Sequence, residues 1–136
     1  MSPILLVEDN AIFRKSLGDM LRYRFPEIEI AEACDGEEAL RKLETMNAEL
    51  IFMDLRLPGM SGLEATRRIK QTNPGRKVVI LTSYDIYEYR VAALGSGASH
   101  FFTKGNAGSE EIADFVRSFF QEKDKAKEAG ANSPGV

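Results

Sequence analysis

The chain has 136 residues, 43% of them hydrophobic and 29% charged, with a formal net charge of −3. That length and composition suit one ordinary globular core, and the mild negative charge excludes a global basic field for nucleic acid. A single cysteine, Cys34, excludes an internal disulfide, and apolar runs of about five residues are too short to cross a membrane.

In chain order, Met-Ser-Pro leads directly into an apolar run at 4–7, without a signal-peptide pattern, so a cytoplasmic location is expected. The run stops at Glu8-Asp9-Asn10. Phe13, Leu17, Met20 and Leu21 then recur at helical spacing. Residues 28–33 read as a second strand. Asp35 and Glu38, at capping-box spacing, open a second helix with apolar Ala39, Leu40, Leu43 and Met46. A third apolar run, 50–53, stops at Asp54. Pro58, Gly59 and Gly62 mark a loop. Ser61 and Glu64 predict the start of a third helix bearing Leu63, Thr66 and Ile69, and Asn73-Pro74-Gly75 closes it.

The fourth strand is read at 78–81, ending at Thr82. Asp85 and Glu88 predict the cap of a fourth helix, with Tyr89, Ala92 and Ala93 inward and Gly95-Ser96-Gly97 as its end. Residues 99–103 make the fifth strand, ending at Lys104. Ile112, Phe115, Val116, Phe119 and Phe120 form the apolar stripe of a last helix. The pattern stops near Glu122, so residues 1–122 read as the domain and 123–136 as a frayed end and flexible tail or linker. Phe120 is expected to be partly exposed.

Alternating strands and helices imply an α/β domain: one doubly wound, five-stranded parallel sheet with helices on both faces. Right-handed crossovers favour the flavodoxin-like strand order 2-1-3-4-5. In such sheets chemistry gathers at the carboxyl ends of the strands, where the order reverses. The residues there are Glu8 and Asp9, Asp54, Thr82 and Lys104. Three convergent carboxylates repel one another, and a hard divalent cation relieves the repulsion. The cluster therefore reads as a Mg²⁺ site; zinc is disfavoured because no His or Cys lies among the candidates. A carboxylate beside Mg²⁺ and Lys either holds the metal or attacks phosphorus to form an acyl phosphate.

Four segments, Leu5-Leu6-Val7-Glu8-Asp9-Asn10, the run from Met53-Asp54 to Ser61-Gly62, Leu81-Thr82-Ser83 and Phe102-Thr103-Lys104, resemble the receiver signature of two-component response regulators. The resemblance covers residues 3–121. Phe13-Arg14 and the stretch Ala93-Leu94-Gly95-Ser96-Gly97-Ala98-Ser99 are similar to receivers attached to helix-turn-helix outputs. The resemblance implies a signalling domain that catalyses only its own phosphorylation and dephosphorylation. Asp54 would be the phosphoacceptor. Asp9 would bind Mg²⁺ directly, Glu8 through a water, and Arg56 through its backbone carbonyl, with Mn²⁺ able to substitute. Thr82 would be the switch hydroxyl, Lys104 would pair with a phosphoryl oxygen, and Phe101 would be the switch aromatic. Implied partners are a sensor histidine kinase or phosphotransfer protein, a downstream protein or DNA-binding output domain outside this chain, and a second copy in a homodimer.

Gly105 departs from the family pattern, in which a cis proline commonly follows the Lys; a trans bond or an altered loop is expected here, since a non-proline cis bond costs roughly 3 kcal/mol. The large Arg56 and Tyr84 flank the site and are expected to limit water and slow hydrolysis. Plainer readings hold elsewhere: His100 as an exposed strand residue, Cys34 as a partly buried filler, and Arg67, Arg68 and Lys70 as a solvated face. Two rivals stay open. An aspartyl phosphatase would want an acid where Arg56 stands, and a flavodoxin-like cofactor binder would want a phosphate-cradling loop after the first strand.

Overall fold

The computed structural model describes residues 1–131. Among them, five strands alternate with five helices: β1 (Ile4–Val7), α1 (Ala11–Arg24), β2 (Ile30–Ala33), α2 (Gly36–Leu43), β3 (Leu50–Met53), α3 (Gly62–Thr72), β4 (Lys77–Thr82), α4 (Tyr87–Gly95), β5 (His100–Thr103) and α5 (Ser109–Ala131). All pairings are parallel and the order is β2-β1-β3-β4-β5, as the sequence implied. Side chains alternate between the two faces of the sheet. Ile4, Leu6, Leu50, Phe52, Val79 and Leu81 pack under α1 and α5. Leu5, Val7, Ile51, Met53, Val78 and Ile80 pack under α2, α3 and α4. Both faces are therefore dry, which is why these strands read as unbroken apolar runs.

Side chains close three helix starts, those at Asp35 and Ser61 as expected and that at Asn10 in addition. Asn10 accepts from the Phe13 N–H, Asp35 from the Glu38 N–H, and Ser61 from the Glu64 N–H. The fourth start differs. Ile86 stands at the N-cap of α4 with no side-chain hydrogen bond. Asp85 instead accepts from Arg90 Nε at 2.8 Å. An ionised guanidinium is a stronger donor than a neutral backbone N–H and takes the carboxylate. Within α4 only Ala93 is buried; Tyr89 and Ala92 are half-buried.

Three further expectations change. α5 runs on past Glu122 to Ala131, because the Lys, Glu and Ala residues there are good helix formers even where they bury nothing. Lys123 also reaches Glu49 at 3.2 Å. The part of the expected tail at 132–136 lies outside the described residues. Phe120 is buried, edge-on to Phe119 with ring centroids 5.0 Å apart. Cys34 is exposed, since it follows the last paired residue of the edge strand β2.

Candidate functional site

The sheet's own ladder carries the site residues into place. Beyond the last strand residues, the Glu8 N–H donates to Ala33 O at 3.0 Å, the Asp54 N–H to Val7 O at 3.0 Å, and the Lys104 N–H to Thr82 O at 2.8 Å. Each functional residue is thus the next rung of a parallel ladder, fixed by its neighbour strand. Gly62, the first residue of α3, packs directly against Asp54: a Cβ built on it would lie 2.0 Å from the Asp54 carbonyl oxygen. The Gly62 N–H donates to Leu55 O at 2.9 Å, which closes the base of the loop after β3.

This framework gathers Glu8, Asp9 and Asp54, with one carboxylate oxygen of each within 4.8 Å of the others. Glu8 and Asp54 are buried, while Asp9 is exposed. The Lys104 ammonium lies 2.5 Å from Glu8 Oε1 and 3.4 Å from Asp54 Oδ2. It also sits 4.3 Å from the centroid of the Phe13 ring, a cation–π contact that holds it at the acids. The Asn10 N–H donates to Glu8 Oε2 at 3.1 Å. Arg14 Nη1 donates to the Glu8 carbonyl at 2.7 Å while its Nε donates to Glu32 at 3.0 Å. Burial pushes the Glu8 carboxyl up to about 7; the bonds from Lys104 and the Asn10 N–H oppose the rise, and the nearby Asp54 charge adds to it.

The other expected residues rim this cluster. Thr82 ends β4, fully buried, and its Oγ1 accepts from the Tyr84 N–H at 3.4 Å. The Arg56 N–H points at Asp54 Oδ1, 3.4 Å away. The Arg56 guanidinium lies 4.3 Å from the Tyr84 ring centroid, and a hydrogen bond with Tyr89 raises its pKa above the usual arginine value. Phe101 lies in β5, half-buried against the core under α4, with the Arg90 guanidinium 4.7 Å from its ring centroid. No cis peptide bond occurs among the described residues, Lys104–Gly105 included.

Residues outside the cluster follow their plain readings. His100 is exposed and stacks near Phe102 and Phe115, at 4.6 and 5.1 Å. Arg67 and Arg68 both pair with Glu64, and Lys70 donates to the Pro74 and Arg76 carbonyls. Sequence reading missed Phe13 as a partner of Lys104, Gly62 as the contact of Asp54, and Arg90 as the contact of Phe101. In the sequence Phe13 stands in an apolar helical stripe and beside Arg14 in the family resemblance, neither of which points to Lys104.

The chain matches the family model described as the response regulator receiver domain over residues 4–117. The response regulator GacA of Pseudomonas viridiflava is 32% identical over 120 residues, which are 88% of this chain and 56% of GacA. This chain therefore spans about half the length of that curated relative. A LuxR-family two-component response regulator from Aurantimonas sp. superposes with a TM-score of 0.79 at 31% identity, covering 90% of this chain and 86% of that one. The response regulator TrrA of Thermotoga maritima, solved in complex with Mg²⁺-BeF, superposes with a TM-score of 0.77 at 30% identity, covering 87% and 98%. With five parallel strands in this order, an acidic cluster at the tips of β1 and β3, and a lysine from β5 between its carboxylates, the chain belongs to the response regulator receiver domain family.

Proposed function

We propose that this receiver domain accepts a phosphoryl group on Asp54 from a phosphohistidine of a sensor kinase or phosphotransfer protein. One observation carries the reading: a buried Asp54 carboxylate shares a lysine ammonium with Glu8 and lies beside a second, exposed acid at the mouth of the site. The donor set suits a hard dication, since it offers carboxylate oxygens and neither imidazole nor thiolate. Glu8, Asp9, Asp54 and the Arg56 carbonyl would hold Mg²⁺, or Mn²⁺ in its place. The ion supplies positive charge against the phosphoryl oxygens. A TrrA structure containing Mg²⁺-BeF supports this choice of ion.

In the step itself, an Asp54 carboxylate oxygen bonds to phosphorus as the phosphorus–nitrogen bond of the donor breaks. The leaving imidazole keeps the electron pair and takes a proton from solvent. Lys104 neutralises one phosphoryl oxygen, and the Thr82 hydroxyl donates to another. Thr82 is then drawn toward the site, Phe101 turns inward, and the surface of α4, β5 and α5 changes shape. The domain thereby shifts between two pre-existing forms and controls an output domain, a downstream protein or its own pairing as a homodimer. The match covers 56% of GacA, which leaves room in that relative for an output lying beyond the receiver. Arg56 stacked on Tyr84 shields the site and slows hydrolysis.

Mass spectrometry after incubation with acetyl phosphate and Mg²⁺ tests the reading. The expected result is one phosphate on Asp54, absent in Asp54→Asn. A folded chain that takes up no phosphate under these conditions overturns it.

A further inference from the structure

The guanidinium of Arg90 makes three contacts that tie separate elements together. Its Nε pairs with Asp85, in the loop between β4 and α4, at 2.8 Å. Its Cζ lies 4.7 Å from the centroid of the Phe101 ring. Its Nη2 reaches Thr103 Oγ1, one residue before Lys104, at 3.5 Å. The α4 N-terminus has no side-chain cap of its own, and Arg90, one turn into the helix, spans from the loop to β5.

We propose that Arg90 is a positioning residue that clasps Phe101 and the end of β5 in the form seen here and must let go when Asp54 is phosphorylated. The proposal rests on the phosphoacceptor reading of Asp54 and deepens it. Phe101 cannot turn inward while its ring stays under the guanidinium. Asp85 aims that guanidinium, since a planar fork held by a carboxylate is pre-oriented for stacking. Both side chains are more than two-fifths exposed, so the ion pair by itself contributes little. Its effect comes through the ring. Linkage fixes the sign: a contact present only in the resting form opposes whatever binds the other form, and removing it strengthens that binding.

The test is titration of the domain with beryllium fluoride in the presence of Mg²⁺, a phosphoryl mimic, followed by calorimetry. Arg90→Met removes the charge and keeps the chain length; it is expected to bind about two- to fivefold more tightly than wild type, the span of an exposed cation–π contact. Asp85→Asn is expected to shift affinity in the same direction. The double variant should gain no more than Arg90→Met alone, because the two residues act as one unit. In a Phe101→Leu background, Arg90→Met should change nothing. Unchanged or weaker binding by Arg90→Met, with wild type binding normally, overturns the clasp alone. Wild type that takes up no beryllium fluoride overturns the phosphoacceptor reading, and the clasp with it.

Discussion

At the tips of β1 and β3, Glu8 and Asp54 are held by ladder hydrogen bonds, by Gly62 packed onto the Asp54 backbone, and by the Arg14 clamp on the Glu8 carbonyl. On the other side of the same edge, α4 buries one residue, lacks a side-chain cap, and leaves Tyr87, Val91 and Leu94 in solvent. The first region is over-determined and the second is weakly held. Elements with few buried apolar contacts open at the lowest free energy. The difference teaches that, under the proposed function, holding the phosphoacceptor and passing on its state would be demands met by opposite kinds of packing along one sheet edge.

The contrast can be broken most directly in β3. Phe52, 2% exposed, anchors the core under α1 and α5. Phe52→Ala is expected to cost about 3–5 kcal/mol in urea unfolding. A loss under 1 kcal/mol, on the order of a surface substitution, would show that the β3 region is not the rigid one.

A smaller effect tests the clamp beside the acids. Glu32 accepts hydrogen bonds from Arg22 at 2.9 Å and Arg14 at 3.0 Å, and these, Arg22 first, hold its carboxyl below the ordinary 4.5. A depressed folded-state pKa means the unfolded chain binds the proton more readily, so the stabilisation exists above 4.5 and disappears as pH falls through the folded value. Unfolding measured from pH 7 to pH 3 should show wild type more stable than Glu32→Gln at the upper end, with the two converging at the lower. A constant gap would contradict the linkage.

The smallest effect belongs to α4. Leu94 is 54% exposed, and Leu94→Ala should change stability by no more than about 0.5 kcal/mol. A cost matching that of Phe52→Ala would erase the distinction between the two regions.

Much of this was legible because burial writes itself into composition. Residues 4–7, 50–53 and 78–81 are apolar without a break because both faces of the sheet are covered, and the polar residues that end each run are the ones the ladder carries to the edge. What escaped is what depends on competition or distance. Asp85 and Glu88 have capping-box spacing, but spacing does not reveal that Arg90 outbids the backbone. The reach of α5 past Glu122 is not visible in apolar periodicity, which tracks burial, whereas helix propensity continues through Lys123 and beyond. Gly62 looked like loop punctuation; its need for a missing side chain arises from a carbonyl eight residues earlier in the chain.

The stack of Arg56 on Tyr84 has a practical consequence. The chain contains four tyrosines and no tryptophan, and Tyr84, Tyr87 and Tyr89 all lie in or just before α4. Near-ultraviolet circular dichroism and tyrosine emission therefore sample this corner of the molecule far more than the rest, so the unlabelled protein comes with a built-in optical gauge of the part that is least firmly anchored.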